Sequence, residues 1–362
     1  MSKRISTEDL RCADARRICV IKPSALGDVV QTLPLLPVLK ERFPRASISW
    51  VVNSNLAELL TGHAHLDEII RYRRHGSWSD WRTLLRRLRR RKFDLVFDLQ
   101  GLFRTGLMTW ATRARLRVGL ETAREGAGWA CQLTLPDSGR LVPAHLRYWR
   151  VAEELGLGDR CREPRIPFTD AQREWAELRL KRLRRPLLAV HPGTRWITKR
   201  WPIENFAVIV SKAVRYFGFS VAILGSRDEL PQAKQLEHLL RRFVPAAGVE
   251  TLAGETNLKQ LASVLNLANV LLTNDSGPMH LAAGVGTPVV GVFTCTDSDR
   301  SGPPGDRHEL VASDLACAPC YQKRCRLRGS QKMACLDDVS TDRVWRAFVR
   351  LMDKQKRLDR AA

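Results

Sequence analysis

The 362-residue chain contains no uninterrupted apolar run of about 18 residues, the length a membrane-spanning helix needs. Its first residues, MSKRISTEDLRCADARR, are polar and hold no apolar segment, so no secretory signal is expected and a cytoplasmic location is. No GxxxxGK(S/T) occurs, which excludes a P-loop nucleotidase. No GxGxxG follows the first strand-like segment, which weighs against a dinucleotide oxidoreductase. No internal repeat is visible. Acidic residues are scarce beside basic ones: 38 Asp and Glu against 60 Lys and Arg, net +22. The excess is uneven. Residues 1–185 carry 36 basic and 21 acidic residues, net +15, and residues 186–362 carry 24 and 17, net +7. A field of that sign attracts nucleic acid, anionic lipid or a phosphorylated substrate.

What is present reads as an ordinary globular chain, with 44% hydrophobic and 27% charged residues and a length that suggests two domains. Nine cysteines occur. Cys12, Cys19, Cys131, Cys161 and Cys295 are scattered and read as reduced thiols. Cys317, Cys320, Cys325 and Cys335 cluster with only one CxxC knuckle, so zinc, disulfides and free thiols all stay open; a structural, non-catalytic role is expected.

Strand and helix patterns alternate along the chain. ICVIKPS (18–24), ASISWVV (46–52), DEIIRY (67–72) and FDLVFDLQG (93–101) read as strands, with a helix over 24–43 and a basic one over 81–92. The alternation restarts with PLLAVHPG (186–193), FSVAILGS (219–226), NVLLTND (269–275) and TPVVGVFT (287–294). The expected fold class is α/β: two doubly wound, Rossmann-like domains facing a cleft, with function in the loops after the strands. The boundaries expected are a disordered tail over 1–16, a first domain over 17–167, a linker helix over 168–185, a second domain over 186–340 and a closing helix over 341–362.

Three loops could carry chemistry. In the first, Gly27 would let the backbone turn and Asp28 begins a helix, where a carboxylate could serve as a general base or merely cap. The second runs from His191 through Thr194 to Lys199 and Arg200, basic enough to hold an anionic leaving group. The third, Asn274 to His280, places Asp275, Ser276 and Gly277 at a helix start whose unpaired N–H groups favour phosphate. No acidic DxD stands in these loops, so no metal is expected.

Taken together these loops resemble one family. IKPSALGDVVQTLPLLPVLKERFP, HPGTRWITKRWP and LLTNDSGPMHLAAGVGTPVVGVF look like the lipopolysaccharide heptosyltransferases, glycosyltransferase family 9. FDLVFDLQGLFRTG and CAPCYQKRCRLRGSQKMACLDDVS resemble it too, so the likeness spans roughly residues 17–350 in order. It implies a GT-B fold whose last helix crosses back to the first domain. It implies inverting transfer of heptose from ADP-L-glycero-β-D-manno-heptose to the lipopolysaccharide inner core, with no cofactor. Asp28 and Lys199 match its catalytic positions, Lys199 within a K-x-W-P motif that contacts donor phosphates. Thr194, Thr256, Asp275, Ser276, Gly277 and His280 match its donor site, and Asp228 or Glu229 could bind the ribose. Ser24, Gly27 and Arg104 fall to the acceptor side.

Such an acceptor is a lipid-anchored core oligosaccharide bearing carboxylates and phosphates, which suits the +15 half. The expected place of work is the inner face of the inner membrane, with the basic helix over 81–92 on anionic lipid. The rivals are another GT-B transferase, a sugar-nucleotide epimerase and a basic RNA-binding protein. The run Arg82–Lys92 has seven basic residues but lacks the interleaved aromatics that stack on bases, so no nucleic-acid partner is expected.

Overall fold

The computed structural model describes residues 5–136, 142–159 and 164–361; Cys161 lies outside them. The chain divides into two units, Met1–Pro167 and Phe168–Ala362.

In the first unit the described strands are β1 (Arg17–Ile21), β2 (Ser47–Asn53), β3 (Glu68–Tyr72), β4 (Leu95–Asp98), β5 (Leu116–Leu120) and β6 (Leu133–Leu135). They pair in parallel in the order β3-β2-β1-β4-β5-β6. The apolar runs CVI of β1 and LVF of β4 are buried on both faces, the signature of central parallel strands covered by helices. The helix Trp78–Arg90 starts at Ser77, whose hydroxyl accepts the Asp80 N–H while the Asp80 carboxylate accepts the Ser77 N–H. Its Leu84 and Leu88 sink into a core with Val96 and Met108. The stretch read as one helix over 24–43 is two, Leu26–Thr32 and Leu35–Arg42, because Pro34 cannot continue the first.

Residues 5–16, expected as a tail, fold instead. A Ser6–Asp9 capping box opens the helix Thr7–Arg11, and Leu10 is fully buried, which ties the segment down. Residues 1–4 lie outside the described residues.

The second unit repeats the plan with β7 (Leu187–His191), β8 (Ser220–Ile223), β9 (Val249–Thr251), β10 (Val270–Asn274), β11 (Val289–Phe293) and β12 (Glu309–Ala312), in the order β12-β11-β10-β7-β8-β9. The helix Ile203–Phe217 ends at Gly218 with φ 71°, a left-handed stop that glycine adopts without strain. The segment expected as a linker is the helix Asp170–Leu180, which packs on the helix Leu258–Leu267 inside this unit. The closing helix, Thr341–Ala361, lies along β11, β12 and the helix Ile203–Phe217, burying Val344, Phe348 and Leu351 in the core of the second unit. Among the described residues no helix is long and apolar enough to cross a membrane.

Each sheet therefore has its own reversal of strand order, between β1 and β4 in one and between β7 and β10 in the other. Such reversals open a crevice beyond the carboxyl ends of the strands.

Candidate active site

In the first unit the loop after β1 carries Lys22, Ser24 and Asp28. Asp28 is the third residue of the helix Leu26–Thr32, and its Oδ2 accepts the Ala25 N–H at 3.0 Å, so it does cap. Its Oδ1 accepts the Tyr148 hydroxyl at 2.7 Å, and Lys22 Nζ lies 3.8 Å from Oδ2. Lys22 is 3% exposed, and its ammonium sits 4.6 Å above the Tyr148 ring. Burial pulls Lys22 below the usual lysine value; Asp28 and Asp98 act against this, and Arg147 adds to it. Burial likewise raises Asp98, at the end of β4, against donation from Gly101, Thr105 and Gln100 and the charge of Lys22. The Ser24 N–H reaches Gln100 Oε1 at 3.3 Å, linking the two switch-point loops. Gly27 lies buried in the helix with no left-handed φ, so the sharp turn expected of it is not there. Arg104 lines a cavity of about 600 Å³ with Arg71, Arg73, Arg74 and Arg87.

In the second unit the two switch-point loops are bolted together. Asn274 donates to the Pro192 carbonyl at 2.7 Å and accepts the Trp201 N–H at 3.1 Å. Lys199 Nζ donates to Asp275 Oδ2 at 2.5 Å, and Thr296 donates to the same oxygen at 2.6 Å. Ser276 precedes the helix Gly277–Gly284 without capping it; its Oγ lies 3.2 Å from His191 Nδ1. Gly277 is the first residue of that helix, again without a left-handed φ, and His280 is buried on it. Thr194 is buried and its carbonyl accepts Arg200 Nε at 2.8 Å. Thr256 is half-buried just before Asn257, which caps the helix Leu258–Leu267.

A model of one family, glycosyltransferase family 9 (heptosyltransferase), matches residues 81–330, spanning part of the first unit and most of the second. The chain belongs to glycosyltransferase family 9. It is therefore a glycosyltransferase. It is 28% identical over 351 residues to lipopolysaccharide heptosyltransferase 1 of Pseudomonas aeruginosa, covering 90% of this chain and 92% of that protein. The structure of E. coli ADP-heptose lps heptosyltransferase II superposes with a TM-score of 0.73 at 21% identity, covering 94% of this chain and 99% of that one. E. coli heptosyltransferase WaaC, solved with ADP-2-deoxy-2-fluoro heptose, gives 0.67 at 21% identity, covering 94% and 99%. The fold is GT-B, two Rossmann-like units in tandem.

Sequence reasoning missed several partners in this glycosyltransferase: Tyr148 on Asp28, Thr296 on Asp275, and the pairing of His191 with Glu229. His191 Nε2 lies 3.4 Å from Glu229 Oε2, which also accepts the Ser226 N–H at 2.8 Å and hydroxyl at 2.9 Å. A side chain at Gly193 would put its Cβ 2.4 Å from the Glu229 carboxyl, so only glycine lets this carboxylate approach. Asp228, its neighbour, is exposed. Burial alone would raise Glu229, but His191 and Ser226 outweigh it and pull it from 4.5 to about 2. A depressed carboxylate stabilises the fold above its unfolded value and loses that contribution as pH falls toward the folded one. Glu229→Gln should therefore cost on the order of 2 kcal/mol at neutral pH, after allowance for solvent screening. Denaturant melts should show that gap closing between pH 4.5 and about 2. A gap that stays constant through this window would mean the carboxylate is not held in this way.

The cysteine-rich strap is anchored mainly by oxygen and nitrogen. Thr198 donates to the Gln322 carbonyl at 2.6 Å and the Tyr321 N–H to the Cys295 carbonyl at 2.9 Å; Cys325 Sγ accepts the Met333 N–H at 3.4 Å. Cys317 and Cys320 are exposed, Cys325 is half-buried and Cys335 is buried. Burial pushes the Cys335 thiol up to about 11, with the neighbouring cysteines adding to the rise. Among the described residues no group of three or more His, Cys, Asp or Glu is arranged to hold a metal.

Proposed function

We propose that this glycosyltransferase moves a heptose, with inversion, from ADP-L-glycero-β-D-manno-heptose to the inner core of lipopolysaccharide. The observation that carries the reading is Asp28, a carboxylate fixed by Tyr148 and Ala25 beyond the carboxyl end of β1. Asp28 takes the proton from an acceptor hydroxyl as its oxygen bonds the anomeric carbon. The bond from that carbon to the donor phosphate breaks, and the electron pair leaves on ADP. Lys199 and the N–H groups opening the helix Gly277–Gly284 meet that charge. Thr194, Ser276 and His280 line the donor side, and Thr256 the nucleoside. Ser24, Gly27 and Arg104 serve the acceptor. The names of the relatives support the donor and the acceptor class. The enzyme works from the cytoplasm on a lipid-anchored acceptor at an anionic membrane surface, without nucleic acid.

The test is incubation with ADP-heptose and defined truncated lipopolysaccharides, followed by mass measurement. One acceptor should gain a single heptose and release ADP. Conversion of the donor with no acceptor present, to an epimer or a free sugar, would overturn the transfer reading.

A further inference from the structure

Four large aromatic side chains stand exposed on the first unit: Trp78 at 79%, Phe103 at 49%, Trp110 at 53% and Trp129 at 49%. Phe103, Trp110 and Trp129 share one region. Phe103 and Trp110 sit seven apart on the helix Phe103–Thr112, with half-buried Leu107 between them, so one helix face carries an apolar stripe at i, i+4 and i+7. That spacing is normally the buried face of a helix. Trp129, in the turn Ala127–Ala130 packed on this helix, extends the stripe, with its ring centroid 6.3 Å from that of Trp110.

The helix Trp78–Arg90 packs beside it. Its outer face carries Trp78 and then Arg82, Arg86, Arg89 and Arg90, all exposed and one above another at helical spacing. Of the acidic side chains nearby, exposed Glu125 accepts the Phe103 N–H at 3.1 Å, and two others are engaged by basic or capping partners. Glu68 is held by Arg87 at 2.6 Å and Arg91 at 2.7 Å, and Asp80 closes the Ser77 cap.

We propose that this face docks on an anionic phospholipid bilayer, the indoles and Phe103 entering the headgroup zone while the arginine row meets lipid phosphates. Aromatic rings with basic residues beside them match the two parts of a membrane interface, amphipathic headgroups and negative surface charge. A second copy of this chain is a poorer occupant, since a two-fold contact would bring the arginine row against itself. The purpose given to this docking rests on the lipid-anchored acceptor proposed above.

The two forces predict different salt responses. An arginine row alone would release the protein at high salt. With rings inserted, binding should weaken as salt rises and then level off above zero. Full-length protein would be pelleted with vesicles of phosphatidylethanolamine and phosphatidylglycerol, against pure phosphatidylcholine, at low and high salt. Trp110→Ser with Trp129→Ser should reduce binding about tenfold or more and remove the salt-resistant remainder. Trp78→Ser, at a largely exposed position, is the milder variant should the pair fail to fold, and it should lower binding in the same direction. The Trp110/Trp129 pair variant should transfer heptose to a delipidated, water-soluble acceptor at the wild-type rate and lose rate on acceptor embedded in vesicles; Trp78 lines the cavity of Arg104, so Trp78→Ser is read by vesicle binding alone. Wild-type protein that ignores anionic vesicles, or variants that bind them undiminished, would overturn the docking. So would variants that turn a dimer into a monomer and still bind vesicles, for the face would then be a subunit interface. Failure of the soluble-acceptor arm in wild type would instead strike at the transferase reading and leave the vesicle result standing.

Discussion

Lys199→Ala should lower kcat/KM for the sugar-nucleotide donor by roughly 10- to 150-fold, the effect of losing a hydrogen bond to a charged group. The ammonium is placed for that task by its surroundings. Asp275 and Thr296 meet it or its partner oxygen at 2.5 and 2.6 Å, and the Trp196 ring lies 4.8 Å away. A lysine has three N–H donors and no acceptor, so one donated to Asp275 leaves two to offer a diphosphate. The competing account is a pair that only ties the two loops together. That account also predicts damage, because alanine leaves the nearly buried Asp275 carboxylate with Thr296 but no cation. The two separate by what else moves. A tie alone would make Lys199→Ala and Asp275→Ala lose similar stability, with donor KM in the folded fraction close to wild type. A phosphate contact would make Lys199→Ala lose donor use beyond its loss of stability, with ADP inhibition weakened in parallel. Unchanged donor kinetics in both variants would remove the leaving-group role from this loop pair.

The central strands were legible because burial on both faces writes a continuous apolar run, as in ICVI of β1 and VLLT of β10. Among the edge strands β3 was legible as DEIIRY, but those of the second sheet were not. β9 is Val249–Thr251, half-exposed throughout, and β12 is the four-residue Glu309–Ala312, so neither needs such a run. β5 hides behind Arg117, whose guanidinium is spent on the Ala130 and Ala114 carbonyls at 2.8 and 2.7 Å, a use no periodicity discloses. The loops of the site were legible for a different reason. Asp, Ser, Gly and His cluster there between a strand and a helix, a composition that suits an ordinary helix cap as well as an anionic ligand. What they touch was hidden, since the partners come from far along the chain: Tyr148 lies 120 positions from Asp28 and Glu229 lies beyond another strand. His191 was the available signal for the latter, a polar residue closing an otherwise apolar strand.

Asp28→Asn should cut turnover by roughly 10²- to 10⁴-fold if Asp28 is the general base. The geometry makes Asp28 both a cap and a candidate base, one oxygen for each duty. Oδ2 accepts the Ala25 N–H, and Oδ1 accepts the Tyr148 hydroxyl at 2.7 Å. Asparagine keeps one carbonyl oxygen, so the cap can survive, but the amide cannot take a proton. A cap alone is worth about 0.5–2 kcal/mol of stability and should leave chemistry in the folded fraction largely intact. Tyr148→Phe supplies the control. It removes the phenol that orients Oδ1 while leaving the carboxylate in place, so it should reduce turnover far less than Asp28→Asn. ADP binding, which belongs to the second unit in this scheme, should be nearly unchanged in both. Lys22 adds a further constraint: its buried ammonium lies 3.8 Å from Asp28, so the neutral asparagine leaves that cation less compensated and some loss of stability is expected alongside. Rates must therefore be measured on folded protein with both substrates saturating. Near-wild-type turnover of Asp28→Asn under those conditions would leave Asp28 a cap and send the search for the base elsewhere.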